Sequence, residues 1–231
     1  MKNWSTKNCR ILQLLDKRSN AYLIDTGNLR ILVDTGIERK YPSLRHRIES
    51  IYGDATKIDY LVLTHTHYDH CQSAARIKAD TGAKLMVHRS EAENLKNGFT
   101  SLPAGTLLPT KIISGLGNKY FSGIGEYAAV IPDISVDEEY IIEHEPFLKV
   151  IHTPGHSEGS VSVIVEDEIA LSGDTVFNIW KGRVFPPFAN DTSKLLKSWE
   201  KLMDSGCHLF LPGHGKPVSI EMLVKEYGKR S

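Results

Sequence analysis

The stretches Thr64-His65-Thr66-His67-Tyr68-Asp69-His70, Thr153-Pro154-Gly155-His156, Ser172-Gly173-Asp174-Thr175 and Pro212-Gly213-His214-Gly215 together offer five imidazoles and two carboxylates. Such a set can hold two divalent cations and leave positions open for water. Water held that way gives hydroxide at neutral pH, so the pattern points to a metal-dependent hydrolase. Residues two apart in extended chain share a face, so His65 and His67 can reach one ion together. Asp69 and His70 are adjacent, and a bend before a following helix would turn both toward a second ion. His156 can complete the first set and His214 the second. Asp174 is the natural bridge, because one carboxylate has an oxygen for each ion. The set is too rich in imidazole for magnesium or calcium and contains no thiolate. Zinc fits best, with iron and manganese as alternatives.

These ligands must be carried by elements that end where they stand. Short apolar runs at Arg10–Leu15, Ala21–Asp25 and Leu29–Asp34, with a turn signal at Asp25-Thr26-Gly27-Asn28, read as an antiparallel start to a sheet. Pro42 opens a helical pattern with Leu44, Ile48, Ile51 and Tyr52 on one face, and Gly53 stops it. Ile58–Leu63 is almost continuously apolar, as expected of a strand covered on both faces. Ser73 is placed to cap a helix through Thr81, Lys84–His88 reads as a strand, and Ser90 is placed to cap another short helix. In the second half, Tyr140–Ile142, Phe147–Ile151, Ser160–Val165, Ile169–Leu171 and His208–Leu211 read as strands. Asp191 caps a helix that turns Leu195, Leu196, Trp199, Leu202 and Met203 inward, and Ser219 caps a last one. Two sheets packed face to face with helices outside, and a site at their shared rim, follow from this order.

Residues 97–133 differ. They hold six glycines, no clear period and many apolar residues. The stretch is expected to be an irregular, cap-like insertion over the site in an otherwise single domain spanning 1–231, or else extra strands or a homodimer contact.

The 231 residues are 41% hydrophobic and 24% charged, with 28 basic side chains balancing 28 acidic ones. No net field draws such a chain to nucleic acid or to an anionic membrane, so a small-molecule substrate is expected. No apolar run approaches the roughly 18–20 residues needed to span a bilayer. Three cysteines without CxxC spacing, and an N-terminus without an apolar core, give a cytoplasmic expectation.

On these motifs, and on Leu32-Val33-Asp34-Thr35-Gly36 before them, the chain resembles the metallo-β-lactamase-fold hydrolase superfamily over essentially its full length. The resemblance implies an α/β fold, a four-layer αββα sandwich with a dinuclear site at one edge. It implies His65, His67 and His156 at one metal and Asp69, His70 and His214 at the other, bridged by Asp174. It also implies that Asp34 orients the ligands, although the residues alone allow a plain Asx turn there. Common β-lactamases of the superfamily carry cysteine or serine where this chain has Asp174, so the ligand set is similar instead to glyoxalase II and lactonases. Glyoxalase II adds a basic C-terminal extension, and this chain ends 17 residues after His214, so that branch is not expected.

The expected reaction is attack of a metal-bridging hydroxide on an ester, thioester, lactone or amide, with Asp69 orienting the nucleophile or taking its proton. The segment after Asp174 brings Phe177, Trp180, Phe185 and Phe188 as pocket walls and Lys181 or Arg183 as an anchor for a substrate anion. Tyr68 lies between two ligands and could donate to an oxyanion. The competing readings are a non-haem iron oxidoreductase resembling the persulfide dioxygenases, with iron on His65, His67 and Asp174, and a phosphodiesterase.

Overall fold

The computed structural model describes residues 1–53, 57–120, 122–180 and 183–230. In chain order the elements are β1 (Asn3–Ser5), β2 (Arg10–Asp16), β3 (Asn20–Asp25), β4 (Arg30–Val33), α1 (Tyr41–Tyr52), β5 (Tyr60–Val62), α2 (Tyr68–Cys71), α3 (Ala74–Thr81), β6 (Lys84–His88), α4 (Ala92–Asn97) and α5 (Leu108–Tyr120). They continue as β7 (Ile134–Val136), β8 (Glu139–Ile141), β9 (Leu148–His152), β10 (Val161–Val165), β11 (Ile169–Asn178), α6 (Thr192–Asp204), β12 (Leu209–Gly215), β13 (Val218–Ser219) and α7 (Ile220–Tyr227).

Among the described residues, β1 to β7 form one sheet in sequence order, and the second runs β13-β12-β11-β10-β9-β8. The first sheet is antiparallel through β4 and parallel from β4 to β7. Strand alternation sorts its side chains into two cores. Ile11, Ile24, Ile31 and Val62 face the second sheet and meet Val150, Val163, Leu171 and Leu211. Their chain neighbours Leu12, Leu23, Leu32 and Leu61 face outward onto Leu44 and Ile48 of α1, Ile77 of α3 and Leu95 of α4. Beyond the second sheet, Ile164, Ala170 and Phe210 pack on Leu195, Trp199 and Leu202 of α6 and Leu223 of α7. Helix, sheet, sheet, helix is therefore the layer order.

Caps follow the sequence in part. The Asp191 carboxylate accepts from the backbone N–H groups of Ser193 and Lys194, both at 2.9 Å, and starts α6. Gly53 ends α1 with φ 73°. Ser73, expected to cap α3, makes no capping bond, because its backbone (φ −95°, ψ 7°) is not in the extended form an N-cap takes, and its side-chain oxygen has no partner. Ser90 does not cap α4 either. It lies inside a short 3₁₀ turn whose capping acceptor is the His88 ring.

The stretch 97–133 is not irregular throughout, since α5 occupies its middle. This helix reverses the usual pattern by burying Ser114 and Gly117 while exposing Leu108, Ile112, Ile113, Leu116 and Tyr120. Ser114 Oγ donates to the Pro103 carbonyl at 2.7 Å, and Gly117 leaves room for the Leu102 side chain. Small residues hold the helix down, so hydrophobicity could not reveal which face was inside.

Candidate metal centre

β5 ends at Val62, a bend follows at Thr64, and His67 is extended (φ −64°, ψ 140°) where α2 begins. This change from extended to helical chain is the expected bend. It lets His65 and His67 share one direction while Asp69 and His70 turn to another. His156 follows β9 across Gly155, whose φ of 131° suits glycine and whose Cα hydrogens pass directly over the backbone of Leu195. Asp174 lies within β11, and His214 lies within β12, its parallel neighbour. A side chain at Gly213 would run into the Asp174 carboxylate and His70 Cε1, so only glycine lets these strands approach.

The seven expected residues converge. One potential ligand atom each from His65, His67 and His156 lies within 4.8 Å of the others, and the same holds for His65, His70 and Asp174 and for Asp69, His70 and His214. His67 Nδ1 and His156 Nε2 stand 2.9 Å apart, and His70 Nε2 and His214 Nε2 stand 3.1 Å apart. Asp174 reaches both ends. Its Oδ1 is 3.4 Å from His70 Nε2, and its Oδ2 is 3.4 Å from His156 Nε2 and 3.3 Å from His214 Nε2.

Outer contacts fix the rings with one nitrogen turned inward. His70 Nδ1 donates to Asp34 Oδ2 at 2.8 Å, His156 Nδ1 to the Phe188 carbonyl at 2.9 Å, and His214 Nδ1 to the Arg18 carbonyl at 2.6 Å. Asp34 also accepts from the Thr64 N–H and hydroxyl, each at 2.8 Å, and its backbone sits at φ 60°. A positive φ is uncommon outside glycine, and here the three hydrogen bonds hold it.

Inside the ring of donors, His65 Nε2 and Asp174 Oδ1 are buried without any hydrogen-bond partner. Buried polar atoms left this way are costly unless something charged satisfies them. Inward-facing nitrogens and carboxylate oxygens, with no thiolate, are the donor set of a zinc, iron or manganese site. The residues therefore fit a pair of cations.

Electrostatics divides the two ends. Burial, and then the neighbouring imidazoles, push His65 and His67 well below the usual histidine range, and burial lowers His156. At the other end burial again opposes charge, but Asp174 and Asp34 outweigh it and hold His70 well above that range. Asp174 and Asp69 likewise outweigh burial and raise His214. For Asp174 burial favours the neutral acid, yet His214, His70 and His156 overcome it and keep the carboxyl well below its ordinary value.

A cavity of about 460 Å³ stands over the donors. His67, Asp69, His156, Asp174 and His214 form its floor, and Tyr68, Phe177, Trp180, Pro187 and Phe188 line its sides. Leu102, Pro103, Thr110, Ile113 and Ile124, all from 97–133, line the rest. Phe177 is stacked on His214 with ring centroids 4.9 Å apart, whereas Trp180 is half exposed. Arg183 and Phe185 do not join this cavity. They line another with Glu226 and Arg230, and Phe185 lies against Trp199 and under the Arg230 guanidinium. The anchor expected at Arg183 therefore lines a concavity other than the one over the donors. Lys181 lies outside the described residues.

Sequence reasoning missed Glu91. The residue is 3% exposed, and its carboxylate joins the two ligand loops of the first end. One oxygen accepts from the hydroxyl of Thr66, between His65 and His67, and from Asn94 Nδ2 at 3.2 Å. The other accepts from Ser157 Oγ, beside His156, at 2.5 Å and from the Gly159 N–H at 3.2 Å. A glutamate in a turn between β6 and α4 carries no local signal of this, since its partners at Ser157 and Gly159 are 66 and 68 residues away. Glu91→Ala is expected to weaken zinc binding at the His65–His67–His156 end by about 10–100-fold. Glu91→Gln, which keeps one acceptor oxygen, is expected to lose less. Titration against a chromogenic chelator measures both, and equal affinity in wild type and Glu91→Ala would refute the coupling.

Residues 15–214 match the metallo-beta-lactamase superfamily, and the chain belongs to that superfamily. Among its relatives, the beta-lactamase-like protein 2 homolog of Drosophila melanogaster is 27% identical over 210 residues. That match takes in 90% of this chain and 62% of the relative, so the chain spans less than two thirds of that protein. The probable metallo-hydrolase MJ0888 of Methanocaldococcus jannaschii is 29% identical over 206 residues, covering 86% of this chain and 88% of that one. Human acyl-coenzyme A thioesterase MBLAC2 is 28% identical over 222 residues, covering 90% and 77%. The fold is similar to that of TTHA1623, solved in a di-iron-bound form, with a TM-score of 0.64 at 21% identity over 93% of this chain and 96% of that one.

Proposed function

We propose that the chain is a dinuclear metal-dependent hydrolase of small acyl esters and thioesters, with zinc as the first metal to test. The observation that carries this reading is a single carboxylate, Asp174, within 3.4 Å of imidazoles from both ends of the cluster, beneath a cavity walled mostly by apolar side chains. When bound, the ions supply Lewis acidity and a hydroxide at neutral pH.

The chain's own residues do the rest. Asp34 holds His70 by its outer nitrogen, and the carbonyls of Phe188 and Arg18 do the same for His156 and His214. Asp69, on the cavity floor with Oδ2 3.5 Å from His214 Nε2, is placed to orient water and accept its proton. The apolar walls take an acyl group and exclude bulk water. Residues 97–133 act as a cap, since Leu102, Pro103, Ile113 and Ile124 close the cavity opposite the donors. In the reaction, water oxygen bonds to the acyl carbon, the carbon–sulfur or carbon–oxygen bond breaks, and the leaving thiol or alcohol takes up a proton. The thioesterase among the relatives supports thioesters as the leading class. Convergence of seven donors, more than one iron needs, favours the dinuclear hydrolase over the single-iron oxidoreductase.

Metal analysis combined with a panel of chromogenic esters, thioesters, lactones and phosphodiesters tests the proposal. About two metal ions per chain with acyl cleavage supports it. One iron per chain with oxygen consumption, or cleavage of phosphodiesters alone, refutes it. Ile113 on α5 gives a check on the cap. Ile113→Asp removes about 1 kcal/mol of apolar contact, so KM for a long-chain acyl substrate should rise about fivefold while an acetyl substrate changes little. An equal change for both chain lengths would place the acyl group elsewhere.

A further inference from the structure

The geometry points to a second subsite beside the metal centre: a basic pocket that takes the phosphate of a phosphorylated leaving group. This deepens the hydrolase reading and rests on it for the word "leaving". The pocket is a concavity of about 200 Å³ between the β2–β3 turn and the start of α1. Lys17, Arg18, Lys40 and Arg47 line it together with the hydroxyls of Ser19 and Ser43, and Asp16 is its one carboxylate. Four cations against one carboxylate is a sharp local excess in a chain whose charges cancel overall. The ion pairs formed by the described residues all involve other groups, such as Arg45 with Glu49, Arg76 with Glu38 and Lys78 with Asp133. Arg47 donates to the Leu14 carbonyl at 2.6 Å, and Arg18 donates to the Tyr68 hydroxyl.

Those last contacts join the pocket to the site. Arg18 gives its carbonyl to His214 Nδ1 at 2.6 Å, and Ser19 gives its hydroxyl to the Asp69 carbonyl. The β2–β3 turn is therefore fixed to two residues of the donor cluster and also lines the basic concavity. Tyr68 of the apolar cavity and Arg18 of the basic one are in direct contact. The Tyr68 hydroxyl and ring meet the Arg18 guanidinium, whose carbon is 5.2 Å from the ring centroid. A substrate with its acyl chain among Leu102, Ile113 and Trp180 and its carbonyl over the donors would find the Arg18 guanidinium beyond Tyr68. A carboxylate needs only one guanidinium. Four cations and the Ser43 hydroxyl match a phosphate dianion or a diphosphate.

The test compares two thioesters carrying the same octanoyl group, one on pantetheine and one on 4′-phosphopantetheine. The wild-type, metal-loaded protein should show a KM about tenfold lower for the phosphorylated substrate, an advantage that shrinks as salt is raised. In Lys17→Ala/Lys40→Ala, with circular dichroism to confirm folding, the ratio of the two KM values should fall toward one. Calorimetric titration with inorganic diphosphate provides a readout independent of turnover, and the double variant should bind it about tenfold more weakly. If thioesters are cleaved with equal KM and diphosphate affinity is unchanged in the variant, the pocket is overturned and the hydrolase reading stands. If diphosphate binding depends on the lysines but no thioester is cleaved, the anion pocket stands and the hydrolase reading falls. If diphosphate binding depends on them while KM ignores the phosphate, the site takes free anions and its assignment to the leaving group is wrong.

Discussion

Asp174→Ala is expected to lower hydrolysis by about a thousandfold while leaving the chain folded. The carboxylate reaches imidazoles from both ends of the cluster, with Oδ1 near His70 and Oδ2 near both His156 and His214. Without it, both ion positions lose their shared anion, and His70 keeps only Asp34 as a carboxylate partner. Charge stabilisation of this kind contributes several kcal/mol to a transition state, and about 4 kcal/mol corresponds to about a thousandfold. Folding should survive, because the three apolar cores are built from other residues. Steady-state kinetics with measured metal content, alongside circular dichroism, checks both halves. A metal-loaded variant within tenfold of wild type would remove Asp174 from its bridging role.

The second large effect concerns pH and metal loading. Metal must displace protons from its ligands, so affinity follows their protonation. His65, His67 and His156 are held neutral by burial and need release no proton near neutrality. Burial also disfavours charge on His70 and His214, but Asp174 and its neighbours prevail, so both rings carry protons above the ordinary histidine pKa. The sign is therefore fixed. On lowering pH from about 8 to about 6, the His70–His214 end should lose affinity steeply, while the His65–His67–His156 end changes little. Zinc titrations at the two pH values should show a second equivalent that weakens by tenfold or more and a first that is nearly constant. Parallel weakening of both equivalents would contradict the asymmetry.

That these seven side chains gather in one place was legible from local pattern, since His156, Asp174 and His214 each stand beside a glycine and the other four crowd one short segment after β5. The layer order was legible for the same reason, since alternating Ile and Leu in β2 to β4 mark both faces of a covered sheet. What remained hidden is long-range or inverted. Glu91 and the carbonyl of Arg18 act on residues far along the chain. Strand β11 continues past Ser172-Gly173, which reads as a break, because two register shifts against β12 let it bend and carry Asp174 onward. Helix α5 was unreadable because its small residues are inside and its large apolar ones outside. Arg183 lines another concavity, although it stands only nine residues after Asp174 in the chain.

The donors are divided between the two halves of the sandwich. His65, His67, Asp69 and His70 follow β5 of one sheet, whereas His156, Asp174 and His214 come from the other. Neither half alone holds a full set, so an ion bound here acts as a clasp across the seam. Whatever free energy the ions contribute on binding is then stability of the joined halves. Withdrawing them should loosen this rim before any other part of the protein, with amide exchange quickening first in the loops around His67 and His156 and last in the strands beneath.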